Sequence, residues 1–536
     1  MAAVVPLLAA AALLVLFSGL HPAAAAASAA GEAATVVVKA AAAVSRTDDN
    51  FVCATLDWWP RDKCNYGMCP WYNASIINLD LNNTILNNAV KAFNSLRIRL
   101  GGSLQDQVTY KVGSNYGDCR SFQRDDGGLF GFTDGCLHMN RWDELNVFFQ
   151  RTNTTVTFGL NALKGRRKAA GGKDTLYSGD WDARNALDLM RYTAGKGYRV
   201  ESWELGNELS GSGVAARVAA AQYGRDVAVL RKAVERVYAS GGGEVPKVLA
   251  PGGFYDGAWF SEMLRVSGRG AVDGVTHHIY NLGSGKDRDL AKKMQDPGYL
   301  DQVEKTFRDM AATVRGSGPW SSPWVGESGG AYNSGGKDLS DRYVNGFWYL
   351  DQLGMSSAHG TRVYCRQALV GGNYCLLNTT TFVPNPDYYG ALLWHRLMGP
   401  VVLKAATTAT GGAGAGGGGS PYLRSYAHCS REKPGVTVLL INLSNATAFD
   451  VSVAGGALGA APCGGRREEY HLSPRGGDIR SQVVLLNGEP LALGPGGEIP
   501  ELRPAVVGDG CAAPLRVAAR GIAFVRFTEF KAPACA

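Results

Sequence analysis

Charge is thin along this chain. Asp, Glu, Lys and Arg make up only 19% of its 536 residues, and a net +7 is spread over that whole length. The electrostatic footprint of a dedicated nucleic-acid binder is therefore missing, although a mildly basic surface still favours acidic polysaccharides. None of the eleven cysteines forms a C-x2-C pair, which removes the usual spacing of a zinc site. Beyond the first thirty residues no stretch is long and apolar enough to span a bilayer. The opening apolar run, Val4 to about Leu20, lacks a preceding Lys or Arg, and the small residues after it resemble a cleavage site. Residues 1–26 are read as a signal peptide, with an uncleaved anchor as the alternative.

What the chain does have is length and apolar content. With 46% hydrophobic residues in 536 it can bury a large core and is expected to form more than one domain. Six N-x-S/T sequons, at Asn73, Asn82, Asn153, Asn378, Asn442 and Asn445, together with the cysteines, fit an oxidising compartment. The expected location is secreted, in the extracellular space or cell wall, with a vacuole or lysosome-like compartment as the alternative. An odd number of cysteines leaves at least one thiol unpaired within the chain, and a buried thiol acting as a small hydrophobe is the simplest fate for it.

From Phe51 to about residue 400, short β-branched runs alternate with longer helical stretches, the pattern of parallel strands joined by crossover helices. Eight strands are predicted: Phe51–Leu56, Leu96–Leu100, Thr155–Leu160, Arg199–Leu205, Lys247–Ala250, Gly274–His278, Pro323–Gly326 and Arg362–Gln367. Helices are predicted between them, including Ala183–Gly195, Ala219–Ser240, Leu300–Thr313 and Leu339–Leu353. Eight strand–helix units imply an α/β fold closed as a (β/α)8 TIM barrel. Residues 401–536 instead place strands one after another, which predicts a C-terminal β-sandwich. The glycine-rich Thr410–Ser420 reads as a linker within it. Residues 27–50 contain the run Ala34–Ala41, which has no barrel role and is expected to add a strand to the sandwich.

Catalytic groups of such a barrel sit at the C-terminal ends of its strands. Two acidic segments fall there: Ser202–Leu209, reading SWELGNEL, after strand four, and Trp324–Gly329, reading WVGESG, after strand seven. Glycoside hydrolysis needs one protonated and one ionised carboxyl flanking the anomeric carbon. Glu208 fits the acid/base and Glu327 the nucleophile, with Asn207 placed to bond a sugar hydroxyl. Close like charge and partial burial are expected to raise the proton affinity of Glu208. Isolated strand-end glutamates are usually surface or cap residues, and Glu204 is put in that class.

These segments resemble the (β/α)8 glycosidases with Asn-Glu on strand four and Glu on strand seven, and more closely the heparanase family, glycoside hydrolase family 79. LRIRLGGS (Leu96–Ser103), FGLNAL (Phe158–Leu163), WELGNE (Trp203–Glu208), THH (Thr276–His278), GESGGAY (Gly326–Tyr332), GGNY (Gly371–Tyr374), PDY (Pro386–Tyr388) and LRSYAHC (Leu423–Cys429) match in order. The Trp-rich ATLDWWPRDKCNYGMCPW looks most like the plant heparanase-like proteins. The resemblance implies a retaining β-glucuronidase. It gives the same roles to Glu208, Glu327 and Asn207, adds Asp57 as a sugar ligand and sets Gly372, Asn373 and Tyr374 near the substrate carboxylate. A glycine-rich turn suits that task by presenting backbone N–H groups to an anion. The resemblance also favours His277 as the partner that steers the nucleophile, and it pairs Cys429 with Cys535.

Three departures from the animal pattern count against heparan sulfate as substrate. Leu209–Val214 contains no lysine, Pro251–Asp256 reads PGGFYD without a glutamine, and Ile279 stands where a tyrosine is expected. The basic run Lys164, Arg166, Arg167 and Lys168 reads as a solvated loop, with steering of an acidic glycan as the alternative. No metal is expected, since no acid or thiol neighbours the paired histidines at ligand spacing, and no cofactor. The expected partner is an acidic glycan, proteoglycan or glucuronide, with no nucleic acid; peripheral membrane or cell-wall association is left open. Two other readings keep the same residues: a glycosidase for a xyloside, galactoside or arabinofuranoside, or a non-catalytic cell-wall glycan-binding protein.

Overall fold

The computed structural model describes residues 31–113, 116–117, 119–169, 175–239, 244–409, 419–455, 465–508 and 515–536. The predicted signal peptide, most of the glycine-rich linker, and Cys463 and Cys511 lie outside the described residues.

Eight parallel strands close into a barrel: Val52–Asp57, Arg97–Gly101, Thr155–Leu160, Ser202–Leu205, Lys247–Phe254, Gly274–Ile279, Ser322–Ser328 and Tyr364–Arg366. Each is followed by a helix on the outside, from Thr84–Lys91 after the first strand to Pro386–Leu397 after the eighth. Local chemistry starts some of these helices: Asn83 and Asp256 each accept a backbone N–H from the first turn, of Leu86 and Trp259 respectively. The predicted helix at Leu300–Thr313 is two pieces, Pro297–Asp301 and Glu304–Ser317, and the one placed at Leu339–Leu353 is Asn345–Ala358. Pro297 suits the first turn of a new helix, and the loop before Asn345 is polar and glycine-rich.

Closure joins the eighth strand to the first, where Cys53 and Cys365 sit opposite each other and form a disulfide. With Leu249, Trp324 and Val363 they make a separate small core on the barrel axis. Further disulfides link Cys64–Cys69, Cys119–Cys136 and Cys429–Cys535. Among the described cysteines Cys375 is free and buried.

The C-terminal region is one continuous hydrogen-bonded sheet that the N-terminal strand completes. Glu32–Lys39 lies between Met398–Ala409, antiparallel to it, and Phe449–Gly455, parallel to it. Alternation along the strands gives this sheet two apolar faces. Val436, Val438, Leu440, Ala523 and Val525 face a core shared with Val36 and Val38 of the N-terminal strand. Leu439, Ile441, Ile522 and Phe524 face the other way, into the core of the barrel and its last helices. Among the strands here that the sequence reading does not single out, the two longest are Met398–Ala409 and Arg467–Pro474. The first follows a helix without a turn residue between them, and the second carries Arg467, Glu468 and Glu469, all buried.

The sequons differ in access. Asn73, Asn82, Asn153 and Asn445 are exposed and Asn378 is half-buried. Asn442 is a correction: it is fully buried, and its amide nitrogen donates to the carbonyls of Thr447, Val517 and Ala518. A nitrogen bonded in that way is closed to glycan attachment in the folded chain.

Candidate active site

Inward-facing residues alternate along each barrel strand. On the second strand this puts both arginines inside. Arg97 lies lower, over the Trp324 ring and paired with Glu201, while Arg99 lies above it near the mouth. Arg99 is the hub of the upper layer: its Nε donates to Glu204 Oε2 at 2.6 Å, one terminal nitrogen to Glu327 Oε2 at 3.0 Å, and the other to Asn207 Oδ1 at 3.0 Å. The placement of Glu204 as a surface or cap residue is therefore wrong. Its side chain is 0% exposed, because strand alternation turns it into the barrel against a buried guanidinium.

Glu208 follows in a backbone conformation that non-glycine residues seldom adopt, with φ +55°. Such a residue costs about 1–3 kcal/mol and persists where its surroundings hold it. Here its N–H donates to Gly252 O at 2.7 Å, and the preceding Asn207 N–H donates to the buried Asp106 carboxylate at 2.8 Å. Burial pushes the Glu208 carboxyl up to about 7, opposed by the charge of Arg99. Of the two causes expected from sequence, burial is the one that acts here.

Glu327 reaches the same space through a β-bulge. Along the paired sixth and seventh strands His277 opposes Val325 and His278 opposes Glu327, so Gly326 is an extra residue and the alternation resets. Trp324 lies on the barrel axis and would put position 326 inward; the bulge turns Glu327 inward instead. Tyr280 donates its hydroxyl to Glu327 Oε1 at 2.5 Å, so both carboxylate oxygens have donors, the second being Arg99. One oxygen of Glu208, one of Glu327 and a ring nitrogen of His278 all lie within 4.8 Å of one another.

The paired histidines divide opposite to expectation. His278 bonds Glu208 Oε1 through Nδ1 at 3.1 Å, whereas His277 faces outward against Phe307 of the surrounding helix layer. His277 touches neither glutamate, so its assignment to the site is corrected to His278. Burial pushes His278 down to about 4, which keeps it neutral near pH 7. Ile279 is no departure in substance either, since Tyr280, one residue later, supplies the phenol.

Asp57 ends the first strand, 2% exposed, and accepts a hydrogen bond from Gln367 Nε2. Burial, then the charge of Glu327, holds its carboxyl well above the usual range. Gly102 makes room for it. At φ +102° the position favours glycine, and a β-carbon there would sit 1.8 Å from Asp57 Oδ1.

The GGNY turn is present at the eighth strand, but its backbone is not open to an anion. Gly372 N–H donates to Pro70 O at 3.1 Å and Asn373 N–H to Ser334 O at 2.7 Å. The part of that reading which rests on these two N–H groups is therefore corrected; both close loops onto one another. The Tyr374 phenol remains, at 3.5 Å from Gln367 Nε2, with its ring edge on Trp71. In the basic run, Arg167 and Lys168 are exposed, but Arg166 is buried and paired with Asp226, so it is a brace and not a solvated charge.

Among the described residues Glu208, His278 and Glu327 have the mutual reach of a cation site, a proximity invisible in sequence spacing. Arg99 already places positive charge on Glu327, and Tyr280 holds its other oxygen, so the cluster suits the anomeric centre of a sugar better than a metal ion.

Arg99, His278, Tyr280 and Gln367 were given no site role from sequence, and Glu204 was put at the surface. The one available signal was Arg-x-Arg inside an apolar strand, which requires buried partners on the same barrel face.

A model of the glycosyl hydrolase family 79 N-terminal domain matches residues 33–354. Heparanase-like protein 1 of Arabidopsis thaliana is 52% identical over 518 residues, covering 92% of this chain and 93% of the relative. Baicalin-beta-D-glucuronidase of Scutellaria baicalensis is 41% identical over 472 residues, 86% of each. Among solved structures, the GH51 arabinofuranosidase of Xanthomonas axonopodis pv. citri shares the fold, with a TM-score of 0.64 at 15% identity, covering 92% of this chain and 99% of that one. With the family's domain matched over more than half its length and relatives aligned nearly end to end, this chain belongs to glycosyl hydrolase family 79 and is a glycoside hydrolase.

Proposed function

We propose that the protein is a retaining exchanger of water for the aglycone of β-linked glucuronic acid, with Glu208 as acid/base and Glu327 as nucleophile. The observation that carries the mechanism is the approach of the two carboxylates to within 4.8 Å. Retaining enzymes hold the pair at about 5–5.5 Å and inverting ones at about 6.5–9.5 Å, where a water must fit between them.

Glu208, with its proton retained to about pH 7, donates to the glycosidic oxygen as the C–O bond breaks. Glu327 attacks the anomeric carbon from the other side and forms the glycosyl-enzyme. Glu208, now ionised, takes a proton from water, which displaces Glu327 and returns the sugar with its original anomeric configuration. His278 is neutral and orients Glu208, while Arg99 and Tyr280 fix the two Glu327 oxygens. Asn207 has its side-chain oxygen on Arg99, which leaves its buried amide nitrogen unpartnered and available to a sugar hydroxyl. Asp57, Gln367 and Tyr374 form a second polar group, joined through the Gln367 amide. The uronic acid rests on the family's relatives, among them a baicalin glucuronidase, and the substrate class it implies is an acidic glycan, proteoglycan or small glucuronide. Action outside the cell or at the cell wall belongs to the same reading.

Assaying purified protein on aryl β-D-glucuronide, β-xyloside, β-galactoside and α-arabinofuranoside tests the sugar. Strong preference for the glucuronide is expected, and the first product seen by NMR is the β-anomer. Preference for any other ring refutes the uronic-acid assignment, and α-anomer as first product refutes retention.

A further inference from the structure

The Trp-rich segment between the first barrel strand and its helix is pinned across the mouth of the barrel. Cys64 and Cys69 close a small loop in it. Asn65 Nδ2 donates to Ser334 Oγ at 2.7 Å, and Trp71 Nε1 donates to the same oxygen at 3.0 Å. Tyr66 hydroxyl meets Ser284 Oγ at 2.6 Å. The segment rooted at Asp57 thus reaches the loops after the sixth and seventh strands and walls the site on its Asp57 side.

Lys63 stands in this wall, half-buried, with its ammonium 4.0 Å from the centre of the Trp59 ring. That ring packs on Trp71, and Trp71 packs on Tyr374, so the lysine caps a row of rings that ends at Tyr374. Among the described residues it has no carboxylate partner. Burial and the neighbouring Arg124 lower its proton affinity, and Asp57 is near enough to oppose them. An ammonium held partly out of water on an aromatic face, with no carboxylate paired to it, is poised for an anion.

The site needs such a group. Arg99 is saturated by Glu204, Glu327 and Asn207, Arg366 is turned to Asp387 and the Trp348 ring, and His278 is uncharged. The Gly372 and Asn373 N–H groups are bonded elsewhere. We propose that Lys63 is the cation that binds the carboxylate of the substrate's uronic acid, beside the Tyr374 phenol, and so determines the preference for a uronide over the corresponding neutral sugar. This rests on the uronic-acid reading above.

The test is Lys63→Met, which keeps the stem over Trp59 and removes the charge, with Lys63→Arg as the conservative control. The wild-type and variant proteins are compared on 4-methylumbelliferyl β-D-glucuronide, whose one anion is the uronic carboxylate. Competitive inhibition by glucuronic-acid- and glucose-configured isofagomines is measured in parallel. Loss of a charge-assisted contact corresponds to about 10- to 100-fold. The expected result is a rise of that size in KM for the glucuronide and in Ki for the carboxylated inhibitor, a much smaller change in kcat and in Ki for the neutral inhibitor, and recovery of most of the loss in Lys63→Arg. Equal weakening of both inhibitors assigns Lys63 to packing, and no weakening of either removes it from the site; both outcomes overturn the proposal. A wild-type enzyme that ignores the glucuronide but cleaves another glycoside defeats the sugar assignment first, and is recognisable before any variant is made.

Discussion

Two layers of one barrel interior, a few residues apart on the same strands, are built on different principles. The lower layer is tied by the Cys53–Cys365 disulfide and filled by Leu249 and Trp324, and its charged member, Arg97, pairs with Glu201 and Asp48, which are each 24% exposed. Glu201 has a second cation in Lys247, so this pair is redundant and part-solvated. In the upper layer one cation, Arg99, is shared by Glu204, Glu327 and Asn207, with Glu204 out of water altogether. Redundancy below serves stability. A single cation shared by several acids above serves orientation, because moving it would displace the nucleophile, the Asn207 amide and a buried carboxylate together.

The sharpest way to break that contrast is at the nucleophile. Glu327→Gln keeps the shape and both neighbours but removes the charge, and kcat on an aryl glucuronide is expected to fall on the order of a thousandfold or more, without trapping by a fluorinated uronide. Circular dichroism and melting temperature should stay close to wild type. Turnover within tenfold of wild type would exclude Glu327 as nucleophile.

The arginines come next, since they test the two layers directly. Arg99→Met strands Glu204 in the interior, for which a loss of about 3–5 kcal/mol is typical, and should also lower kcat about a hundredfold. Arg97→Met leaves Glu201 with Lys247 and should cost about 1–3 kcal/mol, with kcat/KM within about threefold of wild type. Denaturant melts beside kinetics separate the cases, and equal kinetic losses would mean the layers are not distinct.

The mildest probe is pH. Burial raises Glu208 to about 7, so the general acid keeps its proton through weakly acidic pH and loses it above neutrality. Activity is expected to fall above about pH 7, by about tenfold per unit at the steepest. A rate that stays flat to pH 9 on a substrate with a poor leaving group would contradict protonated Glu208 as the acid.

Much of this was readable in the chain. Short β-branched runs separated by helical stretches encode strands buried on both faces, and eight of them leave a closed barrel as the natural solution. Asn207-Glu208 and Glu327 were visible because each stands just after such a run. Glu204 was misplaced although only four residues from Glu208, since a carboxylate looks solvated until its buried cation, 105 positions away, is known. Which of His277 and His278 faces inward depends on the phase of the sixth strand, which a run buried on both faces does not reveal, and Glu327 meets His278's level only through the extra residue Gly326 in the neighbouring strand. The GGNY turn looked open to an anion, yet its N–H groups are used by carbonyls of loops from the first and seventh strands.

The barrel, the sheet that takes up the N-terminal strand, and the two segments that supply the glutamates are legible in the chain alone, because residue pattern and strand-end position are local properties. Tertiary structure decided which acids meet Arg99, which histidine meets Glu208 and that Tyr280 meets Glu327. Those contacts join residues from 47 to 228 positions apart, and they are fixed by barrel closure and bulge register, which belong to the assembled sheet and to no single segment of it.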